Sequence, residues 1–277
     1  MPQEANKPLV FLRADSKEEF HDQPFVVVVS NRSDLSRWLR DSSPALQWIE
    51  VEGLLGDPEA WALAAQGEDE VPLDVILSAP GREYADLYRL VDVRSVRDVR
   101  VSMPAAPGFL RALRLAASLG LPVRLLPGQP TAEALEELEG ALAFYLHDPM
   151  VEAPIEFFHS ALAWMRGAPT GSLWSVLEED PAIFQRDEIK GSQRLLQTYE
   201  PHVETALPRD SVPGYFARLV QQGAECVSCP WQQPCQGYFK WPKATYSCHG
   251  IKKIFMTLQT AAAEIGRDLA ECETKPV

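Results

Sequence analysis

The chain has 277 residues, with 26 Lys and Arg against 39 Asp and Glu, which gives a formal net charge of −13. This acidic balance argues against nucleic-acid binding, because neutralising phosphates requires a basic surface. Hydrophobic residues make up 46% of the chain, enough for a sizeable core. No apolar run approaches the ~20 residues that span a bilayer, and the first residues do not resemble a signal peptide. We therefore expect a soluble cytoplasmic protein with no membrane or nucleic-acid partner.

The first part of the chain is predicted to be a polar arm, and a repeating alternation of strands and helices is predicted after it. Residues 1–24 are polar and interrupted by prolines, with one short strand predicted at 9–12. Short runs rich in β-branched residues then alternate with stretches of helical apolar spacing, and the starts of these runs are 23, 26, 24 and 25 residues apart. This period predicts βα units on a parallel sheet, an α/β fold. The predicted strands are 25–30, 48–52, 74–78, 98–103 and 123–126.

Helix signals support the same pattern. Ser33 and Asp34, the pair Asp57 and Pro58, and Thr131 stand where helices are expected to start. Further helices are predicted at 155–166 and 251–272, and short helical pieces between 173 and 222.

Four of the five cysteines lie within 23 positions. Cys226, Cys229 and Cys235 have the spacing C-x2-C-x5-C, and Cys248 follows after twelve more residues. In a reducing compartment such crowding indicates metal or cluster binding rather than disulfides. Four thiolates suit either an Fe–S cluster or zinc, and the spacing leaves both open. Cys272 is expected to be a free thiol, and His249 is a less favoured ligand.

The cysteine region is locally cationic. No Asp or Glu occurs from Cys226 to Ala263, whereas Lys240, Lys243 and two further lysines do. We predict that Lys240 and Lys243 lie beside the cofactor, where they would offset the negative charge of a thiolate-bound cluster. The alternatives are a plain surface patch or a docking site for an acidic peptide.

Two other groups of residues carry possible chemistry. His159 lies near Glu152 and Glu156 on a predicted helix, a grouping that suits metal binding or proton transfer, although a structural histidine is the simpler interpretation. Glu50 and Glu52 alternate along a predicted strand and should point to one face, either into a barrel or outward. An enzyme that uses the barrel mouth would need these side chains to face inward.

The cysteine segment resembles the SPASM or Twitch auxiliary-cluster region at the C-terminus of radical S-adenosylmethionine (radical SAM) peptide-modifying enzymes. The match consists of the C-x2-C-x5-C spacing followed by Gln236 and Gly237, and then Cys248 ahead of a helix. The upstream βα series is similar to the partial TIM-type barrel of those enzymes. Residues 48–61 resemble their second strand with its glycine-rich turn, which in the family contacts the methionine end of the cofactor.

The sequence departs from the family at the catalytic cluster. The family requires a C-x3-C-x2-C loop after the first strand, but residues 30–37 contain no cysteine, and none occurs before Cys226. Position 238, where many members continue to another cysteine, is a tyrosine. Catalysis by this chain alone is therefore not expected, and the four cysteines support one cluster, which the resemblance implies to be of the 4Fe–4S type.

The resemblance implies a radical-SAM-like protein that serves as a partner or scaffold in peptide modification. Its partner would be a peptide substrate or a complete radical SAM enzyme. The alternative is a binding module with structural zinc that grips a peptide or small ligand in the barrel. In either case the predicted division is an arm at 1–24, a partial βα barrel at 25–170, and a linker with a SPASM-like module at 171–277.

Overall fold

A computed structural model describes residues 7–14, 23–41, 43–66, 71–186 and 211–274. Within these ranges the chain forms a parallel sheet flanked by helices. The strands are β1 (Leu9–Arg13), β2 (Phe25–Val29), β3 (Leu46–Glu52), β4 (Leu73–Ile76), β5 (Val99–Pro104), β6 (Val123–Leu126), β7 (Ile155–Glu156) and β8 (Phe184–Arg186).

The sheet follows the strand order of a barrel with one open seam. Its order is β7-β6-β5-β4-β3-β2-β1-β8, and every pair is parallel. β8 therefore joins β1, as the last strand of a closed eight-stranded barrel does, but it does not pair with β7. The sheet curls into a half-barrel that is compatible with a partial TIM-type barrel.

Helices cover the convex side of the sheet and build the C-terminal part. They are α1 (Arg32–Trp38), α2 (Pro58–Ala64), α3 (Pro80–Glu83), α4 (Leu90–Arg94), α5 (Phe109–Ser118), α6 (Ala132–His147), α7 (Phe158–Met165), α8 (Leu173–Val176), α9 (Val212–Gln221), α10 (Gln232–Cys235) and α11 (His249–Thr274). Two predicted start signals act as caps, since the side chains of Asp57 and Thr131 accept backbone N–H groups of the first turns of α2 and α6. At α1 the cap is Asn31, and the predicted signal, Ser33 and Asp34, lies within the helix. None of the helices in the described ranges has the length and apolar character needed to cross a membrane.

The two faces of the sheet differ in chemistry. On the convex face, buried side chains such as Val27, Ile49 and Val101 pack with the helices in one large hydrophobic cluster. That cluster continues into the C-terminal part, with Tyr238 and Phe255 among its members. The opposite, concave face carries a small separate cluster around Phe11 and several charged side chains, described below.

The structure confirms the five predicted strands and the strand near the N-terminus. The predicted helix at 251–272 is α11, and it begins at His249. The prediction at 155–166 is wrong at its start: Ile155 and Glu156 form a strand, and Phe157, at φ 89°, turns the chain into α7. β8 was not predicted. The rest of the proposed N-terminal arm and the helical pieces proposed within 187–210 lie outside the described residues.

Candidate metal centre

The four cysteines of the predicted ligand set line one narrow pocket. Cys226, Cys229, Cys235 and Cys248 share its wall with Lys240 and with apolar and polar neighbours. All four are free thiols, and Cys226 is buried while the other three are half-buried. The fold thus brings together residues that lie up to 22 positions apart in the sequence.

Three short elements deliver these cysteines to the pocket. Cys226 lies in a 3-10 turn, Glu225–Ser228, and the N–H of Cys229 donates to its carbonyl at 3.2 Å. Cys235 is the last residue of α10, and Cys248 immediately precedes α11. The thiol of Cys248 is therefore fixed to the start of a long, well-packed helix.

The turn after Cys235 directs backbone N–H groups at its sulfur. Gln236 and Gly237 both adopt left-handed conformations, at φ 44° and 75°. The N–H groups of Phe239, Tyr238 and Gly237 then donate to Cys235. A side chain at position 237 would not fit, because its Cβ would lie 2.5 Å from Cδ1 of Leu219. The turn is shaped to stabilise negative charge on this sulfur.

Burial raises the pKa of three thiols, those of Cys226, Cys235 and Cys248. It raises that of Cys226 and, despite the three N–H donors, that of Cys235 to about 11. Burial also raises the pKa of Cys248 to about 12, with Lys240 acting in the opposite direction. As free groups these thiols stay protonated at neutral pH, and a bound metal would supply the positive charge that stabilises their thiolates.

Glu225 ties the cations of the pocket wall together. Its Oε1 accepts from the Nζ of Lys240 at 2.7 Å and from the N–H of Cys248 at 2.9 Å, and its Oε2 accepts from the Nζ of Lys252 at 2.5 Å. Burial alone would raise the pKa of Glu225, but the donors from Cys248, Lys240 and Lys252 together lower it to about 2. Two lysines and one carboxylate leave the wall with one net positive charge.

The two predicted lysines occupy different surroundings. Lys240 is 4% exposed and lines the pocket, whereas Lys243 is exposed and is not among the residues of the pocket wall. The backbone of Lys243 contacts Gln129 from the loop after β6: Gln129 donates to its carbonyl at 2.8 Å and accepts from its N–H at 3.2 Å. Gln129 also donates to the carbonyl of Phe239 at 3.0 Å.

Apolar rings shield the pocket. Phe239 and Phe255 line it, and Trp231 stacks on Phe255 with ring centroids 5.5 Å apart. His249 and Cys272 are exposed and do not line the pocket. Among the described residues, no group of three or more His, Cys, Asp or Glu side chains is placed to hold a single metal ion.

The concave face of the barrel carries a network of buried ion pairs. Asp74 accepts from Arg100 at 2.7 Å, from Arg124 at 2.8 Å and from Ser102 at 2.5 Å. Glu178 bridges the same two arginines, at 2.6 Å to Nη1 of Arg100 and through a second contact to Arg124. Burial alone would raise the pKa of Asp74, but the arginines outweigh it and lower the pKa.

The glutamates of β3 and the histidine of α7 have defined surroundings. Glu50 is 2% exposed and forms a two-pronged pair with Arg186 of β8, both N–O distances being 2.8 Å. Because β3 and β8 are three strands apart in the sheet, this pair spans the concave side. Glu52 is half-buried, and burial and Glu50 raise its pKa. His159 is exposed, and its Nδ1 lies 3.2 Å from the hydroxyl of Tyr145.

The loops that follow β2 and β3 are joined by an ion pair. Arg32, at the start of α1, contacts both carboxylate oxygens of Asp57 at 2.9 Å and also contacts Glu59. Asn31 caps α1 by accepting the N–H of Asp34 at 2.9 Å. Residues 30–37 thus contain a capped helix start.

Sequence reasoning missed three contributors. Lys252 lies four residues after Cys248 on a helix, and this spacing was a usable signal because it puts both on one face. Glu225 lies one position before the segment from Cys226 to Ala263 that contains no Asp or Glu. A count of charges that begins at Cys226 therefore leaves it out. No sequence signal marks Glu178, whose role depends on its left-handed backbone at φ 60° and on contacts 54 and 78 positions away.

No protein-family model matches this chain, and no curated protein or solved structure shows significant similarity to it.

Proposed function

We propose that this protein binds one Fe–S cluster through Cys226, Cys229, Cys235 and Cys248, and acts as a partner or scaffold in peptide modification by a complete radical SAM enzyme. The observation that carries the proposal is the pocket in which these four cysteines meet. A bound cluster would supply one-electron chemistry there.

The surroundings of the pocket favour a cluster. Three backbone N–H groups aim at Cys235, and Lys240 and Lys252 stand in the wall, features that suit sulfur atoms carrying several negative charges. The apolar rings of Phe239 and Phe255 would limit access of water.

A single zinc ion and a cluster make different demands on the spacing of their ligands. Four thiolates around one zinc lie about 4 Å from one another, given Zn–S bonds of about 2.3 Å. No described trio of His, Cys, Asp or Glu meets the requirement for a single ion. A cluster places iron and sulfide between its thiolates, and therefore requires wider spacing of the ligands than a single ion does.

The barrel supports a non-catalytic role. The loops at which the family assembles its catalytic site are tied by Arg32 and Asp57. The concave face is occupied by ion pairs among its own side chains, with Glu50 held by Arg186 and Asp74 by Arg100 and Arg124. Glu50 and Asp74 are therefore held in ion pairs instead of being available as acids or bases.

Metal and sulfide analysis of protein purified without oxygen tests the cluster. We expect iron and acid-labile sulfide at about four each per chain, with absorbance near ~400 nm. The Cys235→Ala variant should lose both, and the matched Cys272→Ala variant should keep them. One zinc per chain without sulfide would overturn the cluster and establish a structural zinc module.

Incubation with S-adenosylmethionine and dithionite tests the non-catalytic role. The loaded protein alone should form no 5′-deoxyadenosine, because three thiolates at an open iron site are needed for that cleavage and the chain has no cysteine outside the pocket except Cys272. Formation of 5′-deoxyadenosine by the protein alone would overturn this part of the proposal.

A further inference from the structure

One short segment contacts both the barrel interior and the turn after Cys235. This segment, residues 173–179, consists of α8 and the turn that follows it. Glu178 reaches the barrel side and pairs with Arg100 at 2.6 Å. Its neighbours Trp174 and Glu179 instead contact the turn after Cys235. We call residues 173–179 the coupling segment.

The coupling segment holds the turn after Cys235 at two points. The indole Nε1 of Trp174 donates to the carbonyl of Gln236 at 3.2 Å. The hydroxyl of Tyr238 donates to Oε2 of Glu179 at 2.6 Å. Trp174, Tyr238 and Glu179 are all buried, so water does not compete for these bonds and they fix the turn firmly.

The same turn needs such support. Gln236, which unlike glycine carries a side chain, has a left-handed backbone conformation at φ 44°. Such a conformation is kept only where the surrounding structure fixes it. The left-handed pair Gln236 and Gly237 orients the three N–H groups that donate to Cys235. A turn released from Trp174 and Glu179 would let these donors drift away from the sulfur.

We propose that Glu179, through Tyr238, and Trp174, through Gln236, are positioning residues that raise the reduction potential of the bound cluster by holding N–H donors on Cys235. This inference rests on the proposed function, because it requires the cluster. Reduction adds negative charge to a thiolate-ligated cluster, and N–H donors stabilise that charge; weakening them therefore favours the oxidised form.

The test is a redox titration of the full chain with the cluster bound. The reduced fraction is monitored by the EPR signal of the reduced cluster, normalised to the amount of bound iron. In Tyr238→Phe and Glu179→Ala, we expect the ratio of reduced to oxidised cluster at the wild-type midpoint to fall about tenfold, equivalent to about 59 mV for one electron. Trp174→Phe should shift it in the same direction by a smaller factor. Glu179→Gln retains an acceptor for the tyrosine hydroxyl and should restore most of the wild-type ratio.

Tyr215→Phe is the matched control. Tyr215 packs edge-on against Trp174 with centroids 6.2 Å apart, and its buried hydroxyl has no hydrogen-bond partner in the described structure. Removing this hydroxyl breaks neither of the two hydrogen bonds that hold the turn, so the shift in potential should be smaller than that of Tyr238→Phe.

The outcomes separate the two proposals. A wild-type protein without iron and sulfide overturns the proposed function and this inference together. If the wild type binds the cluster but Tyr238→Phe and Glu179→Ala have the same reduction potential as the wild type, only this inference is overturned. A shift of equal size in Tyr215→Phe would also overturn it, because the effect would then not depend on the turn.

Discussion

The barrel interior and the cysteine pocket both bury ionisable side chains, but the two regions differ in the partners that they supply to them. On the concave face, Asp74 and Glu50 meet arginines of the same chain at hydrogen-bond distance. In the pocket, burial raises the pKa of Cys226, Cys235 and Cys248, and the nearest cations already share Glu225. The first region is complete within the chain, whereas under the proposed function a bound metal supplies positive charge to the second.

This difference indicates which of the two regions is the candidate for ligand binding. Ion pairs closed within the chain stabilise and orient a scaffold, and changing them should alter stability without altering what is bound. Under the proposed function the group of thiols with N–H donors is a site for a ligand, so changing it should alter binding first. The predictions below test that separation.

Removing one pocket thiol should have the largest effect. We expect Cys235→Ala to lower bound iron to less than about a tenth of the wild-type value, because its sulfur is the one that receives the N–H donors. The loss of the ligand should lower the melting temperature by roughly 5 °C, equivalent to about 3 kcal/mol for a chain of this size. Iron analysis and calorimetry measure the two effects. Unchanged iron and melting would contradict the ligand assignment, with Cys272→Ala as the control.

Breaking the barrel network should destabilise the fold while sparing the metal. Asp74→Asn removes the charge that Arg100 and Arg124 share, and we expect a loss of about 3 kcal/mol in the free energy of unfolding. Urea titration measures it, and iron per folded chain should stay at the wild-type level. The exposed Asp98 offers the control Asp98→Asn, expected within about 0.5 kcal/mol of the wild type. Iron loss in Asp74→Asn equal to that in Cys235→Ala would erase the distinction between the regions.

Glu225→Gln should have an intermediate effect confined to the pocket. The substitution keeps an acceptor but removes the charge that holds Lys240 and Lys252. Because Glu225 is partly exposed, we expect a loss of only about 1 kcal/mol. Iron should remain bound, since the freed lysines would still face the thiolates. Urea titration and iron analysis give the result, and complete loss of iron would show that Glu225 does more than orient the two lysines.

Mild acid should remove only part of the contribution of Asp74 to stability. Its pKa is lowered in the folded protein, so its stabilisation is complete above the unfolded value of about 3.9 and is lost as the pH falls through the lower folded value. The difference in unfolding free energy between wild type and Asp74→Asn should be constant from pH 7 to about 5 and shrink below about 4. A difference that stays constant down to pH 3 would contradict the lowered pKa.

The sequence indicated the sheet well where strands were long and apolar. The β-branched runs beginning at Phe25 and Val123 are buried on both faces or nearly so, and such runs are readable without structural knowledge. β7 and β8 have two and three residues, too few for any periodicity. Their position depends on pairing with β6 and β1, which is a tertiary effect.

The residues of the candidate site were likewise predictable only in part. Spacing was enough to group the four cysteines, because close thiols on tight turns have few other roles. It could not separate Lys240 from Lys243, which lie three positions apart but face the pocket and the surface respectively. Trp174 and Glu179 were also unpredictable, since their partners Gln236 and Tyr238 are 62 and 59 positions away.

Gln129 shows how closely the two parts of the chain depend on one another. Its amide is bonded to the backbone at Phe239 and Lys243, so a barrel loop completes the hydrogen bonding of the cysteine region. The hydrophobic cluster also continues from one part into the other, unlike the loosely joined domains that recombination shuffles freely. A gene rearrangement that grafted this cysteine region onto another barrel would have to carry the matching loop and core surface with it. The two parts are therefore expected to be inherited as one unit.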